Sequence, residues 1–295
     1  YRKSATGFEF DYNNVTISLY YPDCFLSYYS QYINQHPTSI IWHHTNIYDD
    51  KTYDKQWESM FKQGQNHIVF LRSTDGFIQL EPVKDCFKQL FCNSTFLQEK
   101  ITKQWHKQAQ VVLPIPQENC IAAKKSSNAV YYTFFNPKQV KGSSIIATLI
   151  KQNPQRYFMV VLGWDLNMEW KLELKQHKNV MVIAPQENVA EIYSFSKVVL
   201  IPSQWEETFG RTQFEAAMNH TPVCISNRGG LAQYFKGNGV AVDEYDQVQA
   251  WQAAIEYLDQ PKHYQQAVKN CKNLVNNYSF NQQVDAFTDQ LKTLV

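Results

Sequence analysis

Eleven apolar runs of strand length punctuate this 295-residue chain, at 15–21, 38–43, 67–72, 89–92, 110–113, 129–135, 157–163, 179–184, 197–201, 222–226 and 239–243. Stretches of helical period separate them, and that alternation is the pattern of parallel sheets covered by helices. Between 246 and 259, Val248, Trp251, Ile255 and Leu258 fall on one helical face, Asp246 stands as a candidate N-cap, and Pro261 marks the end. Ser279 is placed to cap a last helix carrying Val284, Phe287 and Leu291. A chain of this length has a prior of about two domains. Pro114, Pro116 and the polar stretch from Gln117 to Asn128 form the best interdomain linker. The expected division is 1–120, 121–280 and a C-terminal helix 281–295.

Chemistry concentrates after the run 197–201. Two glutamates eight positions apart, Glu207 and Glu215, bracket a loop, Thr208-Phe209-Gly210-Arg211-Thr212, that opens an apolar helix with Phe214, Ala217 and Met218. One carboxylate on the loop and another about two turns into the helix reach one crevice from different depths, since a helix rises about 1.5 Å per residue. Open parallel sheets bind ligands at such strand-to-helix loops. Backbone N–H groups around Gly210 and the positive end of the helix suit phosphate. Carboxylates repel phosphate and accept hydrogen bonds from hydroxyls. Phosphates in the middle and hydroxyls at both ends describe a nucleotide sugar.

From Val198 to Phe235 the chain resembles the C-terminal domain of retaining GT-B glycosyltransferases, whose signature is E-x7-E. The matching pieces are 199–203 (Val-Leu-Ile-Pro-Ser), 207–211 (Glu-Thr-Phe-Gly-Arg), 214–218 (Phe-Glu-Ala-Ala-Met), 221–226 (Thr-Pro-Val-Cys-Ile-Ser) and 228–231 (Arg-Gly-Gly-Leu), in the family's order. The resemblance implies an α/β fold of two Rossmann-like domains facing a cleft, with a last helix that often crosses back to the N-terminal one; in this chain the N-terminal domain reads as shortened. It implies that Glu207 holds a hydroxyl of the donor sugar, that the backbone of Phe209 and Gly210 holds sugar and phosphates, and that Glu215 holds the ribose.

Upstream, Lys141-Gly142 follows the run 129–135 and enters a helix with Ile145, Ile146, Leu149 and Ile150. The family uses a lysine here, with an arginine a few residues earlier, against the donor diphosphate. Lys141 matches, whereas Asn136 stands about where the arginine would be. One of the two cationic contacts is then absent or supplied by Lys138 or Arg211, of which Arg211 ranks higher because it lies at the helix entrance. Gln233 is a second departure, since relatives often carry a glutamate after Gly-Gly.

Residues 1–11 offer neither the opening strand nor the glycine-rich loop of the family. The strand ending in His43-His44-Thr45 resembles the family's strand that carries a histidine facing the donor sugar. His44 is the better candidate and His43 the second. Phe91-Cys92-Asn93-Ser94 resembles the last N-domain strand and its turn.

The formal net charge of +1 argues against a nucleic-acid binder. The six cysteines show no C-x-x-C spacing, so reduced thiols in a cytoplasmic protein are expected. No signal peptide and no apolar stretch of about 18 residues is read. Lys100, Lys103 and Lys107 alternate with Phe96, Leu97, Ile101 and Trp105, a basic amphipathic face of the sort that lies on anionic membranes. A core-facing helix with solvated lysines is the favoured alternative.

The resulting expectation is a transferase that moves a hexose-type sugar from a nucleotide-diphosphate donor to a hydroxyl on a glycan, lipid-linked or protein acceptor, with retention. No D-x-D pair precedes a metal site, so no metal or other cofactor is expected. The rivals are a non-catalytic nucleotide-sugar-binding or partner subunit and a GT-B nucleotide-sugar epimerase.

Overall fold

The computed structural model describes residues 2–3, 7–12, 15–20, 34–35, 41–44, 61–62, 67–116, 120–122, 125–126, 129–163, 174, 176–186 and 188–292. The chain divides into two compact units: Tyr1–Cys92 with Gln98–Gln110, and Asn93–Leu97 with Val111–Val295. The stretch 114–128 belongs to the second unit.

Unit 1 contains an antiparallel sheet of β1 (Arg2–Lys3), β2 (Gly7–Tyr12) and β3 (Val15–Tyr20). The strand β2 corrects the expectation of none before residue 11. Phe8, Phe10 and Tyr12 alternate with Glu9 and Asp11, the period of a strand, and β3 supplies the pairing partner. A second sheet has the order β4 (Ile41–His44), β5 (His67–Leu71), β6 (Phe87–Cys92), β7 (Gln110–Val111), and β4, β5 and β6 are parallel. Helix α1 (Thr74–Leu80) follows β5, and α2 (Thr95–Trp105) follows β6. Leu97, Ile101 and Trp105 are buried, and Trp105 stacks on Phe77 at 4.7 Å. The apolar side of α2 is therefore occupied by protein, while Lys103 is exposed and Lys107 pairs with Asp85 at 3.0 Å.

Unit 2 is built on six parallel strands, β8 (Tyr131–Phe135), β9 (Tyr157–Val161), β10 (Val180–Ile183), β11 (Ser196–Ile201), β12 (Val223–Ser226) and β13 (Gly239–Val242). Their order is β10-β9-β8-β11-β12-β13. The connecting helices are α3 (Ser143–Gln152), α4 (Ala190–Phe195), α5 (Arg211–Met218), α6 (Gly229–Tyr234), α7 (Val248–Asp259), α8 (Pro261–Asn277) and α9 (Phe280–Lys292). Side chains alternate across the sheet. Val198 and Leu200 pack with Ile146, Leu149, Trp251 and Ile255, whereas Val199 and Ile201 pack with Tyr193, Ala216 and Leu231. Burial on both faces explains why these strands read as unbroken apolar runs.

Two capping expectations part company here. Ser279 does cap α9, accepting the Gln282 N–H at 3.1 Å. Asp246 does not cap α7, which begins at Val248 with Gln247 at the N-cap and no side-chain cap bond. A preceding turn, closed by the Gln247 N–H to the Glu244 carbonyl at 2.9 Å, moves the helix start on by a residue.

The end of α7 is tied to the sheet by charge. Asp259 accepts from Arg156 Nε and Nη2 at 3.1 and 2.8 Å and also bonds Lys197 and Tyr132. Burial alone would raise the Asp259 pKa; the hydrogen bonds from Lys197, Tyr132 and Arg156 outweigh it and hold the carboxyl below its ordinary value. A depressed carboxyl stabilises the fold above its unfolded pKa, and the contribution fades as the pH falls through the folded one. Asp259→Ala is expected to cost about 1–3 kcal/mol in urea unfolding at pH 7. The deficit should shrink below about pH 4; a deficit independent of pH would contradict this electrostatic account.

Candidate functional site

The strand order of unit 2 reverses between β8 and β11, and the loops leaving their carboxyl ends diverge to opposite sides of the sheet. Such a reversal leaves a crevice that side chains do not fill. A cavity of about 120 Å³ lies there, lined by Phe134, Phe135, Asn136, Lys141, Leu200, Ile201, Ser203, Glu207 and Thr212. Four of the residues singled out in the sequence, Asn136, Lys141, Glu207 and Thr212, thus meet at one place.

Lys141 ends a 3-10 turn (Gln139–Lys141) after β8. Gly142 follows in the left-handed conformation, φ 86°, with its Cα so close to Pro202 that an added Cβ would lie 2.1 Å from the Pro202 carbonyl oxygen. A side chain there would force the two loops apart. The Gln204 N–H bonds the Val140 carbonyl at 2.8 Å, so the lysine loop and the glutamate loop are joined backbone to backbone. Glu207 is held from the other side by the Gly230 N–H on its carbonyl, at 2.6 Å.

In this frame the Lys141 ammonium bonds the Glu207 carboxylate, and both side chains are largely buried. Ser203 Oγ donates to the same carboxylate at 2.8 Å. Burial pushes the Glu207 carboxyl up, but the charge and hydrogen bond of Lys141, with hydrogen bonds from Trp205 and Ser203, more than offset it and hold the group below the usual carboxylate range. Glu207 is therefore an anion at neutral pH, aimed into the cavity with a cation beside it.

Gly210 is the N-cap of helix α5; its φ of 87° is left-handed and an added Cβ would meet Leu231 at 2.3 Å. Among the described residues no side chain caps this end, which leaves the first N–H groups of α5 to a ligand. The Phe209 ring is buried against Phe214 at 4.7 Å and Tyr234 at 5.1 Å, and Phe209 is absent from the cavity lining. Glu215 is held by the Tyr193 hydroxyl, which donates to Oε2 at 2.8 Å. Burial first, then the charge and hydrogen bond of Glu215, push the Tyr193 phenol well above its ordinary value, so it remains a donor. Arg211 lies 3.4 Å from Glu215 with its side chain more than half exposed, and it is absent from the cavity lining.

Asn136 follows β8 with φ 56°, in the left-handed region that asparagine tolerates. Its Oδ1 is buried with no hydrogen-bond partner among the described residues and abuts Gly163. His44 is the last residue of β4, in register with Phe70 of β5, in unit 1. Cys24 and Thr45 lie outside the described residues; Cys86, Cys92, Cys120, Cys224 and Cys271 are free thiols. Gln233 accepts the Phe96 N–H at 2.6 Å, so the neutral amide serves the first turn of α2. Three residues without an expected role, Tyr193, Ser203 and Trp205, touch the two glutamates. The Pro-Ser of the matched motif was the one signal that could have flagged Ser203.

The family model for glycosyl transferases group 1 matches residues 121–274, more than half of the chain. The chain belongs to the glycosyl transferases group 1 family. Among curated proteins it is similar to YtcC of Bacillus subtilis, which carries a glycosyltransferase name, at 26% identity over 87 residues. It is also similar to spore coat protein SA of the same organism, at 26% over 86 residues. The aligned segments span 29% and 28% of this chain and only 21% and 23% of those relatives. Among solved structures, the fold is similar to a sucrose-phosphate synthase from Thermosynechococcus elongatus, with TM-score 0.75 and 16% identity over 92% of this chain and 77% of that one. Anabaena HepE in complex with UDP gives TM-score 0.72 and 14% identity over 91% and 82%. These likenesses make the fold of this group 1 chain the GT-B type of α/β architecture.

Lys141→Met leaves the Glu207 carboxylate buried with no cation. It is expected to cost about 2–4 kcal/mol of stability at pH 7. The double variant Lys141→Met/Glu207→Gln should recover most of that loss in urea unfolding. Equal stability of single and double variants would show that the two side chains are not coupled.

Proposed function

We propose that the chain is a glycosyltransferase that takes a hexose-type sugar from a nucleotide-diphosphate donor and places it on a hydroxyl acceptor with retention, without a metal. The observation that carries this reading is the Lys141–Glu207 pair at the strand reversal, beside the uncapped start of α5. A diphosphate arriving there competes with Glu207 for the Lys141 ammonium. It also meets the N–H groups that open α5, and preorganised donors of this sort stabilise charge as it develops on a leaving group. Glu207, released from the lysine, is then an ionised acceptor for a sugar hydroxyl. Glu215, oriented by Tyr193, is the acceptor for the ribose hydroxyls.

The leaving diphosphate, held by Lys141, is itself the base nearest the acceptor hydroxyl in a same-face attack, which is the route to retention when no protein nucleophile intervenes. HepE structures with UDP and with UDP-glucose among the similar folds support trying a uridine donor first. His44 is the candidate for a contact to the donor sugar, and Arg211 for the second cation. The acceptor is a glycan, lipid-linked or protein hydroxyl.

Binding without turnover is the second reading, and one observation favours it. Among the described residues lining the cavity, Lys141 is the only cation, and Asn136 occupies the place of a second. Release of free nucleotide from UDP-, GDP- and ADP-sugars separates the readings. Turnover of one donor by the wild type, lowered at least about 100-fold in Glu207→Ala and unaffected by EDTA, is the expected result. Turnover unchanged by Glu207→Ala would reject the site, and binding with no turnover on any acceptor would favour the second reading.

A further inference from the structure

Large aromatic side chains of unit 2 are mostly interior, as Trp251, Tyr193, Phe134, Phe158 and Phe214 illustrate. Trp205 is an exception at 39% exposure. It sits between Ser203 and Glu207, and its neighbours in sequence are firmly anchored. Gln204 Nε2 donates to the carbonyls of Pro202 at 2.8 Å and Tyr245 at 3.1 Å, and its own carbonyl accepts from Arg228 Nη1 at 3.0 Å. Arg228 is itself seated 4.5 Å over the Tyr245 ring. With Gln204 also bonded to Val140 and Glu207 bonded to Gly230, the backbone on either side of Trp205 has little freedom, and the indole is directed rather than merely unburied.

That direction is toward the ion pair. The Lys141 Nζ lies 4.6 Å from the centroid of the Trp205 ring, and the Trp205 side chain, whose only polar group is the indole N–H, is one of the neighbours that hold the Glu207 carboxyl below its ordinary value. One rigid side chain thus lies with its face under the cation, two positions before the anion in the same anchored loop. We propose that Trp205 is a positioning residue of the donor site, fixing the Lys141 ammonium by its ring face and the Glu207 carboxylate by its N–H, so that the two stay in place when a diphosphate separates them.

The proposal rests on the donor-site reading above and adds a requirement to it. A lysine stem carries several rotamers, and a diphosphate that draws Lys141 off Glu207 must otherwise order that stem at the moment of binding. The aromatic face keeps the ammonium near the cavity in both states. The N–H keeps Glu207 oriented after its cation has left. Phenylalanine in place of Trp205 retains the face and loses the edge; alanine loses both.

The test has a ligand-free arm and a ligand arm. In ligand-free protein, the indole N–H resonance of Trp205, assigned by its loss in Trp205→Phe, should shift in Lys141→Met and in Glu207→Gln. Binding of UDP, GDP and ADP is then measured by calorimetry, with melting curves confirming that each variant is folded. The nucleotide bound most tightly by the wild type should be weakened about threefold by Trp205→Phe and about tenfold by Trp205→Ala. An indole resonance indifferent to both ion-pair variants, or wild-type affinity in Trp205→Ala, would overturn the assignment of Trp205 and leave the donor site standing. Failure of the wild type to bind any of the three nucleotides would overturn the donor-site reading, and the role of Trp205 with it.

Discussion

A buried ammonium and a buried carboxylate, Lys141 and Glu207, meet where the parallel sheet of unit 2 reverses its winding. Taking both charges from water costs several kcal/mol each, which their mutual attraction and the Ser203 hydrogen bond to the carboxylate offset. The close approach of Gly142 to Pro202, the Gln204 to Val140 bond and the Gly230 to Glu207 bond all serve to bring two loops, 66 residues apart in sequence, to one spot. Without that approach neither loop has a chemical meaning.

The rest of the crevice follows the same economy of motion. Helix α5 starts abruptly at a left-handed glycine, its first N–H groups are uncapped, and its second turn carries Glu215 braced by a fully buried tyrosine. The ring of Phe209 is sunk into an aromatic cluster with Phe214, Tyr234 and Tyr278, which anchors the loop between Glu207 and α5. Preorganisation of this kind lowers the cost of binding, because ordering has been completed by folding. The Asp259 cluster stiffens the sheet near the amino ends of β8 and β11, away from the crevice.

Much of this was legible in the sequence where the signal was local. Strands of unit 2 announced themselves as short apolar runs because both sheet faces are covered, and the loop glutamate, the lysine and Gly210 belong to contiguous motifs. What escaped was whatever depends on distant packing. Tyr193 reads as one more apolar residue of a short helix until the fold brings its hydroxyl to Glu215, 22 positions on. Trp205 reads as a loop aromatic until Lys141 is placed under it. Asn136 was recognised as a missing charge, but its left-handed backbone and its unpartnered Oδ1 have no sequence signature beyond asparagine itself. The strand Gly7–Tyr12 does have one, the alternation of Phe8, Phe10 and Tyr12, although it carries no glycine-rich loop after it. Asp246 failed as a cap because an intervening turn shifted the helix start, a displacement within the ordinary uncertainty of boundaries.

The exchange of Glu207 for a diphosphate on the Lys141 ammonium is the central physical claim. Affinities of uridine, UMP and UDP, measured for the wild type and for Lys141→Met under one salt condition, test it directly. The account predicts that the wild type prefers UDP to uridine by about 100-fold or more, and that Lys141→Met removes most of that preference while changing uridine binding little. A preference for UDP that survives the loss of the lysine intact would contradict it.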